Sequence, residues 1–173
     1  MKLYYAPGAC SLAAHIALTA GGIAHERENV DLKTKRTGNG EDFTAVNPKG
    51  YIPALTLDDG ETLTENIAIL GYIGSLAPAL LPAEGMAHWR ALEMLAFIST
   101  ELHKGFKPLF NPAASEAERE EAGKALAKRY ELVEASLGDR PYLLGETFSV
   151  ADCYLFVTLF WAEDKFGLEL PPR

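Results

Sequence analysis

The first residue that could do chemistry is Cys10, in the stretch Lys2-Leu-Tyr-Tyr-Ala-Pro-Gly-Ala-Cys10-Ser11. A short β-type segment leads through Pro7 and Gly8 into an alanine-rich run of helical pattern that opens beside the thiol. A helix start offers free backbone N–H groups and the positive end of the helix dipole. Both favour the thiolate, which is the nucleophile, and comparable placements lower a cysteine pKa from ~8.5 to roughly 3.5–7.5. The same stretch is equally compatible with a small apolar side chain filling a helix-to-sheet contact. Ser11 is a competing hydroxyl at the same turn. Elsewhere, Asn66 is a good cap for a helix that follows it, and His103 and Lys104 are neighbours on a later helix. Taken alone, His103 and Lys104 read as a solvated face, and Lys35 as an ordinary surface lysine in a loop.

The elements that must position these residues follow from pattern. Residues 2–5 predict a buried strand, Ser11 to Ala20 a helix stopped by Gly21-Gly22, and residues 25–31 a second strand. On that helix Leu12, His15, Ile16 and Thr19 fall near one stripe. A β-α-β unit over residues 2–31 implies parallel strands joined by a crossover helix. Lys33 to Gly40 is polar and reads as a loop or a weak helix. Asn47-Pro-Lys-Gly50 is a turn, and Ala54–Leu57 with Glu61–Leu63 is a hairpin about Asp58-Asp59-Gly60. A helix from about Ile67 to Leu76 closes this half. Residues 80–85 read as a linker, and everything beyond is helical in pattern. Trp89, Leu92, Ala96, Ser99, Leu102 and Phe106 step by three or four. Ser115 with Glu118 forms a capping box, and Leu126, Tyr130, Val133 and Leu137 mark the inner face of the helix it opens. Ser149 with Asp152 opens a run that is apolar nearly all round, which predicts a fully buried helix. Cys153 in that run reads as inert packing. Pro171-Pro172-Arg173 discourages any further helix.

The bulk properties narrow the function classes. A formal net charge of −8 argues against non-specific binding to nucleic acid or to anionic membrane. The two cysteines are far apart, there is no CxxC, and His15, His25, His88 and His103 do not cluster in sequence, so no metal site is expected. The N-terminus lacks the pattern of a signal peptide and no apolar run approaches the ~20 residues of a membrane span, so the expected location is cytoplasmic.

Five ordered stretches together resemble the soluble glutathione transferases, and most closely the bacterial class with an N-terminal cysteine, called Beta. They are Tyr-Tyr-Ala-Pro-Gly-Ala-Cys-Ser-Leu (4–12), Val-Asn-Pro-Lys-Gly-Tyr-Ile-Pro-Ala-Leu (46–55), Leu-Thr-Glu-Asn-Ile-Ala-Ile (63–69), Glu-Leu-His-Lys-Gly-Phe-Lys-Pro-Leu-Phe (101–110) and Phe-Ser-Val-Ala-Asp (148–152). The resemblance covers essentially the whole chain. It implies an α/β thioredoxin-like domain over residues 1–80 that binds glutathione. It also implies an all-α domain over residues 86–173 that shapes the pocket for an electrophile.

The resemblance also implies roles for particular residues. Cys10 takes the class-specific catalytic position and can hold glutathione as a mixed disulfide. Ile52-Pro53 matches the family's cis-proline site, where the backbone of residue 52 pairs with the cysteinyl part of glutathione; X–Pro bonds in general are cis only ~5–6% of the time. Glu65 and Asn66 match the place that holds the γ-glutamyl group, a carboxylate for the ammonium and a helix start for the carboxylate. The family often has serine at the second position, so Asn66 is a departure. His103 and Lys104 match residues that face the sulfur region, where a cation or hydrogen-bond donor favours thiolate. Lys35 matches a residue that reaches the glycyl carboxylate. Tyr5 is expected to be pocket wall, Tyr4 to be core, and Ser11 to cap its helix. Ser149 and Asp152 match a cap that serves stability.

The activity implied is conjugation of glutathione to small soft electrophiles, with glutaredoxin-like thiol–disulfide exchange through Cys10. Glutathione is the co-substrate and no tightly bound cofactor is expected. A homodimer is implied, with no nucleic-acid or membrane partner. The alternatives are a non-enzymatic interaction module on the same fold, or a specialised glutathione-dependent dehalogenase or ether-cleaving lyase. Family members usually continue past the buried helix with a further loop and helix. A chain stopping at Arg173 is therefore expected to show an apolar face on that helix unless a partner covers it.

Overall fold

In the computed structural model, which describes residues 1–171, the first half of the chain builds a four-stranded mixed sheet in the order β2-β1-β3-β4. β1 (Lys2–Tyr5) pairs in parallel with β2 (Glu26–Asn29) and antiparallel with β3 (Ala54–Thr56), which pairs antiparallel with β4 (Thr62–Thr64). Leu3 sits opposite Leu55, which sits opposite Leu63, so one face of the sheet carries an apolar row toward the main core. Tyr4 points the other way, as the two-residue period of a strand requires, and packs on Phe43 with ring centroids 5.4 Å apart. This gives the thioredoxin-like α/β arrangement expected for the first half.

The crossover helix α1 (Ser11–Ala20) lies against α2 (Asn66–Leu76) and the later helix α6 (Val150–Phe160). Its buried side chains are Ser11, Ala13, Ala14, Ala17 and Leu18, not the stripe of Leu12, His15, Ile16 and Thr19. The alanines let three helices approach closely, and a helix packed on several sides need not bury its bulkiest stripe. α2 is held to the interdomain segment by a close fit of Gly74 against Leu81. A Cβ at Gly74 would stand 2.5 Å from that of Leu81.

The second half is all helix: α3 (Gly85–Phe97), a π-helical turn (Ile98–His103), a 3-10 turn (Lys104–Phe106), α4 (Lys107–Phe110), α5 (Glu116–Leu137), then α6 and a π-helical turn (Trp161–Lys165). The buried stripe of the first long segment is Ala91, Leu95, Ile98, Leu102 and Phe106. Trp89, at the head of the predicted stripe, is 62% exposed, because the π-helical turn shifts the helix phase ahead of Leu102. Both predicted capping boxes form. In the second, Asp152 accepts from the N–H (2.8 Å) and hydroxyl (2.5 Å) of Ser149 and from the N–H of Leu143 (2.9 Å). α6 is buried along most of its length, but Phe156 is 52% exposed, so the apolar run is not covered on every side. Of the predicted stop at residues 171–173, Pro172 and Arg173 lie outside the described residues. Among the described residues no helix is long and apolar enough to cross a membrane, and no group of three or more His, Cys, Asp or Glu could hold a metal ion.

Candidate active site

A cavity of about 610 Å³ opens where the sheet-bearing half meets the helical half. The first half supplies the β1–α1 loop from Pro7 to Cys10, then Leu32, Lys35, Asn47, the segment Gly50 to Pro53, and Thr64 to Asn66. The helical half supplies Ser99, His103, Lys104, Phe110, Tyr154, Trp161 and Lys165. The predicted site residues Cys10, Lys35, Ile52, Pro53, Glu65, Asn66, His103 and Lys104 all line it. A second cavity, about 750 Å³, lies along the interdomain segment; its wall carries Arg90 and Glu93, already paired at 2.7 Å, and no cysteine or histidine.

Cys10 is half-buried at the start of α1, and its thiol donates to the Ile52 carbonyl across 3.5 Å. The Ile52–Pro53 bond is cis. The helix-start argument predicts an acidic thiol, and the backbone N–H groups of Cys10 and Ser11 do act in that direction. Burial outweighs them and the Glu65 carboxylate adds to it, pushing the Cys10 thiol up to about 11. At neutral pH Cys10 is therefore a neutral thiol. Ser11 does not cap the helix; fully buried, it closes the preceding turn, accepting from the Ala6 N–H (3.2 Å) and donating to the Ala6 carbonyl (3.3 Å). Tyr4 is core as expected, whereas Tyr5 is not among the cavity residues and lies beneath the Arg27 guanidinium, 5.9 Å from its ring centroid.

His103 sits in the π-helical turn, a local widening that is common at functional sites. Its Nδ1 is 2.6 Å from the hydroxyl of Tyr154, and its ring packs edge-on against Trp161 at 5.0 Å between centroids. Burial first, and then the Lys104 ammonium, bring the imidazole down to about 4. His103 is a neutral hydrogen-bonding ring at neutral pH, not the cation that was one option from sequence. Lys104 itself is exposed on the cavity rim. Tyr154 is 1% exposed, and burial, followed by the nearby Cys10, pushes its phenol up to about 12.

Glu65 and Asn66 occupy the start of α2, but neither side chain caps it. Glu65 takes the cap position with φ +69°, a left-handed conformation that is costly for a non-glycine residue and that clusters at functional sites. Its carboxylate pairs with the Lys49 ammonium at 2.7 Å. Asn66 is the first helical residue; its amide donates to the Cys10 carbonyl at 3.3 Å, tying the two helix starts together. Its buried Oδ1 has no hydrogen-bond partner among the described residues. Lys35 also has a positive φ, +57°, and its ammonium donates to the Gly50 carbonyl at 2.9 Å.

Sequence reasoning missed Lys49, Tyr154, Trp161 and Lys165. Trp161 Nε1 and Lys165 Nζ both donate to the Gly8 carbonyl, at 2.8 and 2.9 Å, clasping the loop that carries Cys10 to the far end of the helical half. Only the step from Cys153 to Trp161 in an apolar helix hinted at this, because Tyr154 and Trp161 are seven residues apart and so share a face. Cys153 is fully buried, and burial pushes its thiol up to about 12.

Comparison with known proteins agrees with this geometry. The family model described as "Glutathione S-transferase, N-terminal domain" matches residues 8–76, and "Glutathione S-transferase, C-terminal domain" matches residues 97–168. Glutathione S-transferase GstA of Escherichia coli O157:H7 is 46% identical, over 94% of this chain and 82% of the relative. A sphingomonad glutathione S-transferase solved in complex with glutathione is 48% identical with a TM-score of 0.92, over 98% of this chain and 85% of that one. A bacterial beta class glutathione S-transferase from Sphingomonas chungbukensis is 45% identical with a TM-score of 0.90, over 99% and 85% of the two chains. A half-buried cysteine at the start of α1, a cis-proline beside it and a helical second half thus come together in a chain that belongs to the glutathione S-transferase family and resembles its bacterial Beta class.

Proposed function

We propose that the protein conjugates glutathione to small soft electrophiles in the cavity between the halves, with residues 1–80 holding glutathione and residues 86–173 shaping the electrophile side. The observation that carries this reading is the convergence of Cys10, the Ile52–Pro53 segment, the Glu65–Asn66 helix start and His103 on one cavity. Glu65 pairs with the γ-glutamyl ammonium, the N–H groups at the start of α2 with its carboxylate, and Lys35 with the glycyl carboxylate. Glutathione is the co-substrate and no tightly bound cofactor takes part. The working form is a cytoplasmic homodimer without nucleic-acid or membrane partners.

The glutathione thiol loses its proton to water on binding. The neutral Cys10 thiol turns from the Ile52 carbonyl to donate to the sulfur anion. The Tyr154 hydroxyl donates to His103 Nδ1, which leaves the ring proton on Nε2 as a second donor. The sulfur lone pair then forms the C–S bond at an activated aryl carbon, and the halide departs with the C–X bonding pair. With an enone, sulfur adds to the β-carbon and the α-carbon takes a proton from water. Cys10 carries an accompanying activity. Its thiol gives up its proton to water as its sulfur attacks the glutathionyl sulfur of a glutathione mixed disulfide, forming Cys10–S–S–glutathione while the S–S bond breaks and the other sulfur leaves as thiolate. A second glutathione then regenerates Cys10 with formation of glutathione disulfide.

Turnover of 1-chloro-2,4-dinitrobenzene with glutathione, followed by ultraviolet absorbance, tests the reading. The expected result is glutathione-dependent product well above the uncatalysed rate. No acceleration with this or an enone substrate, from folded protein, would sink it.

A further inference from the structure

The charges on the cavity run against those of the chain. The protein carries a formal net charge of −8, yet Lys35, Lys104 and Lys165 line the cavity. Among the described residues the single carboxylate on the wall, Glu65, is paired with Lys49. Lys35 faces the glutathione side in the reading above, leaving Lys104 and Lys165 on the opposite, helical side. Neither is ion-paired among the described residues.

Lys165 is held in a particular way. Its ammonium donates to the Gly8 carbonyl at 2.9 Å and stands 5.4 Å from the ring centroid of Phe110 and 5.8 Å from that of Phe160. Gly8 has φ +64°, and a Cβ there would come within 3.3 Å of the ammonium, so glycine leaves the cation its room. The Gly8 carbonyl also accepts from Trp161 Nε1 at 2.8 Å. If Lys165 turns away toward an anion, the tryptophan still satisfies that carbonyl. The swing therefore leaves no stranded acceptor, and its cost is small because Lys165 is exposed. Beneath the ammonium, the 46% exposed Phe110 ring offers a flat apolar face suited to a conjugated ring, and the buried Trp161 packs edge-on against it at 86° with centroids 5.1 Å apart.

We propose that the electrophile side of this cavity selects flat, conjugated electrophiles that bear a carboxylate, with Lys165 as the specificity-determining residue that pairs with that carboxylate and Phe110, backed by the buried Trp161, as the surface for the ring. Lys104 strengthens the same positive field from the rim. The proposal rests on the reading of the cavity as a conjugation site and names the substrate class that site takes.

The test compares two aryl chlorides of equal shape, 4-chloro-3-nitrobenzoate and 4-chloro-3-nitrobenzamide. Each kcat/KM is divided by the uncatalysed rate constant with glutathione. The expected result is a preference for the carboxylate of about ten-fold, the scale of a charge-assisted contact discounted for exposure, shrinking as salt is raised. Lys165→Met should bring the carboxylate-to-amide ratio close to one, and Lys165→Arg should keep most of it because the charge remains. Measurable turnover of both compounds with no carboxylate preference, or a ratio unmoved by Lys165→Met, would overturn the subsite while leaving the conjugation reading intact. So would a Lys165→Met enzyme altered only in its KM for glutathione. Failure to turn over either compound, or 1-chloro-2,4-dinitrobenzene, would overturn both.

Discussion

His103 Nδ1 lies 2.6 Å from the Tyr154 hydroxyl, a contact that spans 51 positions of sequence and joins the π-helical turn to α6. It places a neutral imidazole on the cavity wall in a fixed orientation. Tyr154→Phe removes the hydroxyl and little else from a buried ring. The loss of one hydrogen bond is worth about 1 kcal/mol, so kcat for conjugation should fall about five-fold, with KM for glutathione changing much less. Steady-state kinetics with an aryl halide checks this. An equal rise in glutathione KM with kcat unchanged would place Tyr154 in ground-state binding.

The same imidazole makes an acid-stability prediction. His103 titrates at about 4 in the folded protein and near 6.5 when unfolded. Between these values the unfolded chain binds a proton that the folded chain does not, so stability falls as pH drops through that window. The contribution is fully present above pH ~6.5 and reaches a loss of about 3 kcal/mol near pH ~4. His103→Gln should flatten the difference in urea midpoint between pH ~7 and ~4.5 relative to the parent protein. An unchanged slope would mean that the ring is not desolvated as the structure has it.

Cys10 should behave as a suppressed thiol when the site is empty. With its pKa near 11, its rate of alkylation by iodoacetamide should rise about ten-fold per pH unit from pH ~7 to ~9. Cys153, fully buried, should stay unmodified in the native protein. Peptide mass spectrometry separates the two cysteines. A plateau for Cys10 below pH ~8 would restore the helix-start expectation of an acidic thiol.

Glu65→Ala separates binding from folding. The Lys49–Glu65 pair is exposed on both sides, 51% and 69%, so its loss should cost under about 1 kcal/mol of stability. The charge-assisted contact to a γ-glutamyl ammonium is worth more, and the Kd for glutathione should rise about ten-fold. Isothermal titration of the folded variant decides it, and an unchanged Kd would remove Glu65 from the glutathione site.

Gly74→Ala tests the fit between α2 and the interdomain segment. Alanine gains about 1 kcal/mol in helix propensity over glycine, but its methyl would stand 2.5 Å from the Cβ and 2.8 Å from Cδ2 of the buried Leu81. Overpacking of this kind costs about 1–3 kcal/mol or more. The steric side should win because a Cβ cannot rotate aside, giving a lower urea midpoint at unchanged m. A variant more stable than the parent would show that Leu81 has room to move.

The expectations that carried through rest on local rules. Asp58-Asp59-Gly60 turns the hairpin and Gly60 takes φ +92° there. Ser115 with Glu118, and Ser149 with Asp152, close their capping boxes because both partners lie within one helical turn. Where burial depends on several neighbours, local patterning does not show which face is buried most deeply. α1 buries its alanines because it is packed against α2 and α6, and Trp89 falls outside because a π-helical turn changes the phase downstream.

By itself the sequence determined the order of elements and the family it resembles, and only through that resemblance the set of side chains from Cys10 to Lys104 that share the cavity. Turn chemistry, caps and motif spacing are written in contiguous residues. Tertiary structure alone decided the protonation states and the partners. Cys10 is neutral because desolvation, summed over atoms from many elements, outweighs the N–H groups of the helix start, and His103 is neutral because desolvation and the Lys104 ammonium both disfavour its cation. Tyr154, Trp161 and Lys165 reach the site only because α6 and the turn after it pack beside the β1–α1 loop. The two donors to the Gly8 carbonyl come from 153 and 157 positions away in the chain, a distance over which no sequence periodicity speaks.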